Sequence, residues 1–311
     1  MKKYLLFHTL LFISLLGYSQ IDVKAIDKYI ENARKDWNVP GMSVAIVKDG
    51  KVVLSKGYGI REIGKKDKVD DATQFAIASN TKAFVSSAIS KLVEEGRLNW
   101  KDKVRDHLPY FALYGEYESA NTTIEDLLCH RVGLGTFSGD VIWYKSERSA
   151  EEVVRSAKYV PKAYEFRSGY GYTNLMFITA GEVIRKVTGK PWEEYVKENF
   201  IQPLGMNNTV MSTNDLKENN ATPHKPTLDD GTIPIAWTNW DNMSAAGAII
   251  SSSTDMAQWM MMNLDGGVWN EDTLIDKGQQ NKLWTPHNNY YLSEGSKQRT
   301  PGRHFAGYGL G

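Results

Sequence analysis

The stretch Phe75-Ala-Ile-Ala-Ser79-Asn-Thr-Lys82-Ala-Phe-Val85 decides how the rest of the chain is interpreted. Apolar residues at helical spacing run through it and beyond it, and Gly96 is a typical helix stop, so we predict a helix over residues 80–95. Ser79 would then stand at the helix start, with Lys82 about one turn further along the same face. At that position the free N–H groups and the positive end of the helix dipole favour a developing negative charge.

This pairing of serine and lysine suits nucleophilic catalysis. A serine hydroxyl is a weak nucleophile until a neighbouring group accepts its proton. A lysine amine can accept it if burial or nearby positive charge lowers the lysine pKa. The pattern S-x-x-K occurs once in the chain. It is short, however, and a serine helix cap beside a surface lysine fits the same letters.

A second motif, Tyr172-Thr-Asn174, lies 93 residues after Ser79 and precedes a predicted helix over residues 175–188. A tyrosine beside a lysine can share or relay a proton. An asparagine amide can donate to a substrate carbonyl and accept from an amine. A core tyrosine followed by an asparagine helix cap is the alternative interpretation.

The two motifs together resemble the first two signatures of the serine hydrolase family that contains class C β-lactamases, low-molecular-weight DD-peptidases and related esterases. Other segments resemble the same family, although Val132 stands where the family commonly has serine. These segments are Gly41-Met-Ser-Val-Ala45 with Asp49-Gly50, Gly96-Arg-Leu-Asn-Trp-Lys-Asp102, Thr123–Leu134, Gly181–Gly205, and Ala246–Ser251 with Asp255-Met-Ala257. The resemblance therefore covers nearly the whole chain after its N-terminal segment.

The resemblance implies a role for each motif residue. Ser79 would attack a carbonyl carbon and form an acyl-enzyme, and Lys82 would take the proton of Ser79. Tyr172 would take part in proton transfer to the leaving group, and Asn174 would orient the substrate amide. The backbone N–H of Ser79 would be one of two oxyanion donors. The substrate would be a β-lactam, a D-amino-acid peptide or a small ester, because small differences in the pocket separate these activities.

The chain departs from the family pattern at the third signature, K-T-G or H-x-G. No K-x-G or H-x-G follows Tyr172. Lys48-Asp-Gly50 matches the pattern K-x-G, but it lies in the predicted hairpin turn near the start of the chain. Phe305-Ala-Gly-Tyr-Gly-Leu-Gly311 resembles the stretch shortly before that signature. We therefore expect a chain truncated at its C-terminus, with missing strands. A non-catalytic protein that keeps the fold and binds or senses cell-wall fragments is the alternative to a hydrolase.

The order of predicted elements indicates an α/β fold of the α+β type. A β-hairpin over Gly41–Gly59, with its turn at Asp49-Gly50, opens the chain, and strand character returns at Phe305–Gly311. We predict an antiparallel sheet flanked by helices, with an inserted all-helical subdomain and an incomplete sheet. The sheet-forming part would take residues 20–75 and 245–311 of one domain, and the helical part residues 79–240.

Residues 1–19 are predicted to form a cleaved signal peptide. Lys2 and Lys3 form a short basic start, Leu5–Leu16 is an apolar run, and a cut after Ser19 fits the small residues there. The run is short for a membrane-spanning helix, which needs roughly 20 apolar residues. The sequence therefore predicts a periplasmic or secreted protein that keeps no stable membrane span after cleavage.

The composition of the chain limits the kinds of partner and cofactor that we expect. Lys and Arg number 37, and so do Asp and Glu, so zero net charge gives no reason to expect nucleic acid as partner. We expect a small-molecule or peptide substrate. The scattered histidines and the lack of a cysteine cluster predict no metal, and the lack of G-x-G-x-x-G predicts no dinucleotide, so we expect no cofactor. Cys129 and His130 are predicted to be structural.

Overall fold

A computed structural model describes residues 21–229, 231–303 and 305–311. The predicted signal peptide, residues 1–19, lies outside them. Residues up to 39 and residues 40–311 form two separate units. Helix α1, Val23–Asp36, belongs to the first unit. All further elements belong to the second.

The second unit alternates short strands with helices. Its helices are α2 Thr81–Glu94, α3 Val104–His107, α4 Glu116–Asn121, α5 Ile124–Leu128, α6 Ala150–Ser156, α7 Asn174–Thr188, α8 Trp192–Val196 with a π-helical continuation Lys197–Ile201, α9 Ser244–Gly247, α10 Ser253–Leu264, α11 Lys277–Trp284 and α12 Glu294–Arg299. Its strands are β1 Gly41–Lys48, β2 Lys51–Gly59, β3 Phe75–Ala76, β4 His224–Pro226, β5 Thr232–Pro234, β6 Ile250–Ser251, β7 Val268–Trp269, β8 Asp272–Thr273, β9 Asn288–Tyr291 and β10 Phe305–Tyr308. Single 3₁₀ turns are Ala78–Asn80, Asp140–Ile142, Ala157–Tyr159, Thr213–Asp215 and Asp241–Met243.

The opening hairpin forms as the sequence predicts. Strands β1 and β2 pair in antiparallel fashion up to Lys48 opposite Lys51, which leaves a two-residue turn of Asp49 and Gly50. Both turn residues have positive φ, 50° and 69°. That conformation is what a tight hairpin turn needs, and Asp-Gly adopts it readily.

The strand pairs join early and late parts of the chain. Phe75 of β3 lies opposite Ser251 of β6 in an antiparallel pair, so a segment just before Ser79 meets one far downstream. Each strand pair described is antiparallel and two-stranded. The proline-containing segment Lys225–Pro234 holds the short antiparallel pair of β4 and β5. Its prolines lie in a short two-stranded ribbon with free edges, where a missing N–H is tolerated.

Helix α7 lies at the centre of the helical part. Eleven of its residues, Asn174 to Ile184, are buried, and it packs against α2, α5, α6 and α9. A Cβ on Gly181 would lie 2.7 Å from the Cβ of Ala245, a distance that real Cβ atoms do not reach. Glycine at this position therefore allows α9 to approach α7 closely, and both helices border the site described below.

A buried ionic cluster fixes the loop that leads into α7. Asp126 of α5 accepts from Arg131 Nε at 2.6 Å and from Arg167 Nη2 at 2.5 Å. It also accepts from the backbone N–H of Thr123 at 2.9 Å. Burial alone would raise the pKa of Asp126, but these donors, Arg167 first, hold it below its usual value. Arg167 stands five residues before Tyr172, so the cluster anchors the approach to the second motif.

We predict that Asp126→Asn lowers the free energy of unfolding by about 3 kcal/mol, because Arg167 loses its buried carboxylate and Arg131 keeps Glu125 as its remaining one. Urea denaturation measures the loss. Glu116→Gln is the matched control, because that carboxylate also pairs with an arginine, Arg105, but is 80% exposed. The control should change stability little. Equal effects of the two substitutions would contradict this role of the cluster.

Candidate active site

The nucleophile candidate Ser79 lies in the 3₁₀ turn that leads into α2. The preceding residue, Ala78, has φ of 47°, the left-handed region that L-residues with a side chain adopt at a cost. The turn leaves Ser79 exposed, whereas Thr81 and Lys82 behind it are buried. The α-helix thus begins two residues after Ser79, and the serine stands at the predicted helix start on a strained turn.

Lys82 is buried, with 1% of its surface exposed, and its nitrogen reaches three oxygens. Nζ lies 3.1 Å from Ser79 Oγ, 2.9 Å from Asn174 Oδ1 and 2.6 Å from the carbonyl oxygen of Ala246. Burial lowers the pKa of Lys82 to about 7, and the negative charge of Asp140 opposes that shift. Near neutral pH a substantial fraction of the amine is therefore unprotonated.

Tyr172 approaches the same serine from the other side. Its hydroxyl lies 2.7 Å from Ser79 Oγ, and its ring centre lies 4.9 Å from Lys82 Nζ. Burial raises the pKa of Tyr172 above its ordinary value, although the hydrogen bond with Ser79 opposes the shift. The phenol therefore keeps its proton at neutral pH.

Asn174 is the first residue of α7, and both ends of its amide are engaged. Its oxygen accepts from Lys82, and its Nδ2 donates to Asp140, 3.1 Å from Oδ2 and 3.3 Å from Oδ1. Asp140 also accepts from the indole Nε1 of Trp143 at 3.0 Å. The structure thus brings together all four predicted site residues, Ser79, Lys82, Tyr172 and Asn174.

Two groups of this site were missed from the sequence. The Ala246 carbonyl belongs to the backbone, and its segment had been noted only as a family-like stretch. Asp140 lies 34 residues from its partner Asn174 in sequence, so local spacing carries no signal for the contact. Gly139, with φ of 84°, is the one local sign of a specialised turn at this point.

His130, predicted to be structural, is fully buried behind Tyr172. Its ring centre lies 4.5 Å from that of Tyr172, and its Nδ1 accepts the backbone N–H of Thr173 at 3.2 Å. Burial, helped by the charge of Lys82, lowers the pKa of His130 to about 3, so the ring stays neutral. A neutral ring packed in this way supports the Tyr172–Asn174 turn.

Cys129 and two polar residues just before α9, Asp241 and Asn242, lie outside the cluster around Ser79. Cys129 is buried and unpaired, and burial raises the pKa of its thiol to about 12. Asn242 braces a loop by donating to the carbonyl oxygens of Trp143 and Ser146. Asp241 accepts from side chains of its own neighbourhood, including Asn239. Within the part of the chain that the structure describes, no group of three His, Cys, Asp or Glu side chains could hold a metal ion.

A family model described as Beta-lactamase matches residues 26–310. The chain belongs to the beta-lactamase family. Curated relatives agree. Protein flp of Staphylococcus aureus is 32% identical over 247 residues, which are 77% of this chain and 48% of that protein. Unguisins hydrolase ungD' of Aspergillus campestris is 34% identical over 236 residues, 72% of this chain and 43% of that protein. The chain spans about half the length of the curated relatives it matches.

Solved structures of the family confirm the predicted fold class. The octameric penicillin-binding protein homologue from Pyrococcus abyssi has a TM-score of 0.77 at 25% identity, covering 94% of this chain and 64% of that one. D-amino acid amidase from Ochrobactrum anthropi has a TM-score of 0.75 at 22% identity, covering 93% and 79%. At that lower identity the amidase shows the fold alone.

The positive φ of Ala78 should cost the fold stability. Ala78→Gly should raise the free energy of unfolding by about 1 kcal/mol, because glycine adopts positive φ without steric cost. Ala83→Gly is the matched control, because Ala83 is the third residue of α2. This substitution should lower the free energy of unfolding by about 1 kcal/mol. Urea melts of both variants check the pair of opposite signs, and a loss in both would show that Ala78 is unstrained.

Proposed function

We propose that this chain is a serine hydrolase that cleaves an amide or an ester through an acyl-enzyme on Ser79. One observation carries the proposal. A buried lysine nitrogen and a phenol hydroxyl, 3.1 Å and 2.7 Å away, converge on one exposed serine oxygen. A serine cap with a surface lysine, the alternative for this motif, would not bury the lysine.

The neutral form of Lys82 is suited to act as the general base. An unprotonated amine has two hydrogens and one lone pair. The acceptors Asn174 Oδ1 and Ala246 O are placed to take the two hydrogens. The lone pair then faces Ser79 Oγ. Lys82 would remove the Ser79 proton as Oγ bonds to the substrate carbonyl carbon.

The second half of acylation needs a proton for the leaving group. Tyr172 keeps its proton at neutral pH and lies beside Oγ, so it would deliver the proton as the carbon–nitrogen or carbon–oxygen bond breaks. The Ser79 backbone N–H would be one donor to the oxyanion. In deacylation, the Tyr172 phenolate would take a proton from the attacking water, and the Lys82 ammonium would return its proton to Ser79 Oγ, which releases the acid and restores all three groups.

The substrate is proposed only as a class: a β-lactam, a D-amino-acid peptide or a small ester. Unguisins hydrolase and D-amino acid amidase bear names of hydrolases that fit this range. The NH₂ group of Asn174, which donates to Asp140, has two hydrogens, and one of them would donate to a substrate carbonyl. We also propose export to the periplasm or medium, resting on residues 1–19 alone. In the described ranges, no helix is long and apolar enough to cross a membrane.

Ser79→Ala should abolish covalent labelling by a fluorophosphonate or a fluorescent penicillin, because the acyl-accepting oxygen is gone. Gel fluorescence and the mass of the labelled peptide measure it. Ser156→Ala, at a partly exposed serine in α6, is the control and should label like wild type. Equal labelling of wild type and Ser79→Ala would refute the nucleophile. Reversible binding of the penicillin without a covalent adduct would favour a binding protein.

The labelling rate of wild type should rise with pH through about 7 and then level off. The sign follows from Lys82, which acts as base only when unprotonated, and whose pKa burial lowers to about 7. Labelling reactions quenched at fixed times between pH 5 and 9 give the midpoint of the curve of rate against pH. A midpoint near the ordinary lysine value of about 10.4, or a rate independent of pH, would contradict Lys82 as the base.

A further inference from the structure

We propose that Asp140 is a positioning residue for Ser79 activation. It holds the Asn174 amide with its oxygen toward Lys82 Nζ, and it supplies the negative charge that faces the ammonium formed when Lys82 takes the Ser79 proton. The inference rests on the proposed hydrolase function. It assigns a role to a residue that lies outside both sequence motifs.

Asp140 determines which way the Asn174 amide points. An amide can rotate by half a turn and exchange its oxygen and its NH₂ group. An ionised carboxylate only accepts hydrogen bonds. Asp140 therefore demands the NH₂ end of Asn174, at 3.1 Å and 3.3 Å, and leaves the oxygen for Lys82 at 2.9 Å. With the amide reversed, two donors would face each other at Lys82.

Three titratable side chains determine the charge around Lys82. Among the described residues that face Lys82, the titratable groups are Asp140, Tyr172 and His130. Tyr172 and His130 are neutral near pH 7, because burial raises the pKa of the first and lowers that of the second to about 3. Asp140 is the acidic group whose charge acts on Lys82. Burial raises the pKa of its carboxyl, and the hydrogen bonds from Trp143 and Asn174 oppose that shift. The charge of Asp140 favours the ammonium state, the state that Lys82 enters during proton transfer.

Asp140 is itself held in place by the turn in which it lies. It begins a 3₁₀ turn, and its carboxylate accepts from Trp143 Nε1 at 3.0 Å within the same turn. A Cβ on Gly139 would lie 2.5 Å from Leu175 Cδ1. The turn thus presses closely on the start of α7, where Asn174 and Leu175 lie. Its construction keeps the carboxylate opposite the amide.

Two substitutions separate orientation from charge. Asp140→Asn removes the charge but keeps an oxygen that can accept from Asn174. Asp140→Leu removes both the charge and the acceptor oxygens and keeps a side chain of similar size. Asp102→Asn is the control, since Asp102 is also a half-buried carboxylate with hydrogen bonds, to Asn99 and His107, away from the site. Thermal melts show which variants stay folded.

The fluorophosphonate labelling rate of Ser79 is measured against pH for each protein. Asp140→Asn should move the midpoint to lower pH, because the lost anion no longer favours the ammonium, with a small loss at the plateau. Asp140→Leu should add a plateau loss of about 10- to 100-fold through misplacement of the base. Asp102→Asn should keep the wild-type curve. A merely structural role would lower the plateau without moving the midpoint.

A second readout does not depend on activity. NMR titration of ¹³Cε-labelled lysine, with the Lys82 signal assigned by Lys82→Arg, reports the protonation of Lys82 directly. The same downward shift is expected in Asp140→Asn. An unmoved Lys82 midpoint in folded Asp140→Asn would overturn the proposal, whatever happens to Asp140→Leu. Wild type that titrates as expected but does not label at Ser79 would instead overturn the hydrolase function.

Discussion

The nitrogen of Lys82, enclosed with 1% of the side chain exposed, is the constraint on which the site depends. A buried amine is costly unless its hydrogens find acceptors. The three oxygens around Lys82 Nζ come from separate places: Ser79 before α2, Asn174 at the start of α7 and the Ala246 carbonyl in α9. The three helices must therefore pack in one arrangement, and that same arrangement places the buried Lys82 nitrogen beside the exposed Ser79.

The packing that supplies the Ala246 carbonyl has its own support. Ser244, at the start of α9, accepts from the indole Nε1 of Trp192 at 2.8 Å and donates to Glu193 Oε1 at 2.5 Å. Burial raises the pKa of Glu193, and the Ser244 hydrogen bond opposes that shift. The chain of three side chains ties α9 to the start of α8, while Gly181 lets α9 approach α7. The carbonyl reaches Lys82 because a short helix is held on both sides.

Sequence predicts the parts of this molecule that depend on neighbours in the chain. Helical spacing predicted a helix over residues 80–95, and the structure has Thr81–Glu94; Asp49-Gly50 predicted the opening hairpin. The long-range contacts had no such signal. Asp140 meets Asn174 across 34 residues, and the Ala246 carbonyl has no side-chain signature. The four motif residues were identified through family resemblance, which records contacts that spacing alone cannot.

An amide between the two charged groups would let a buried Lys82 act as the base in the proposed mechanism. A carboxylate in direct contact would hold Lys82 as ammonium, because an opposite charge at close range strongly favours the charged form. Such a lysine could not accept the Ser79 proton near neutral pH. With no anion at all, burial would leave the ammonium formed in the reaction unsupported. Asn174 accepts from Lys82 and donates to Asp140, so it passes on orientation while it keeps the carboxylate one group away. Burial lowers the pKa of Lys82 to about 7, and the charge of Asp140, one group away, opposes that shift.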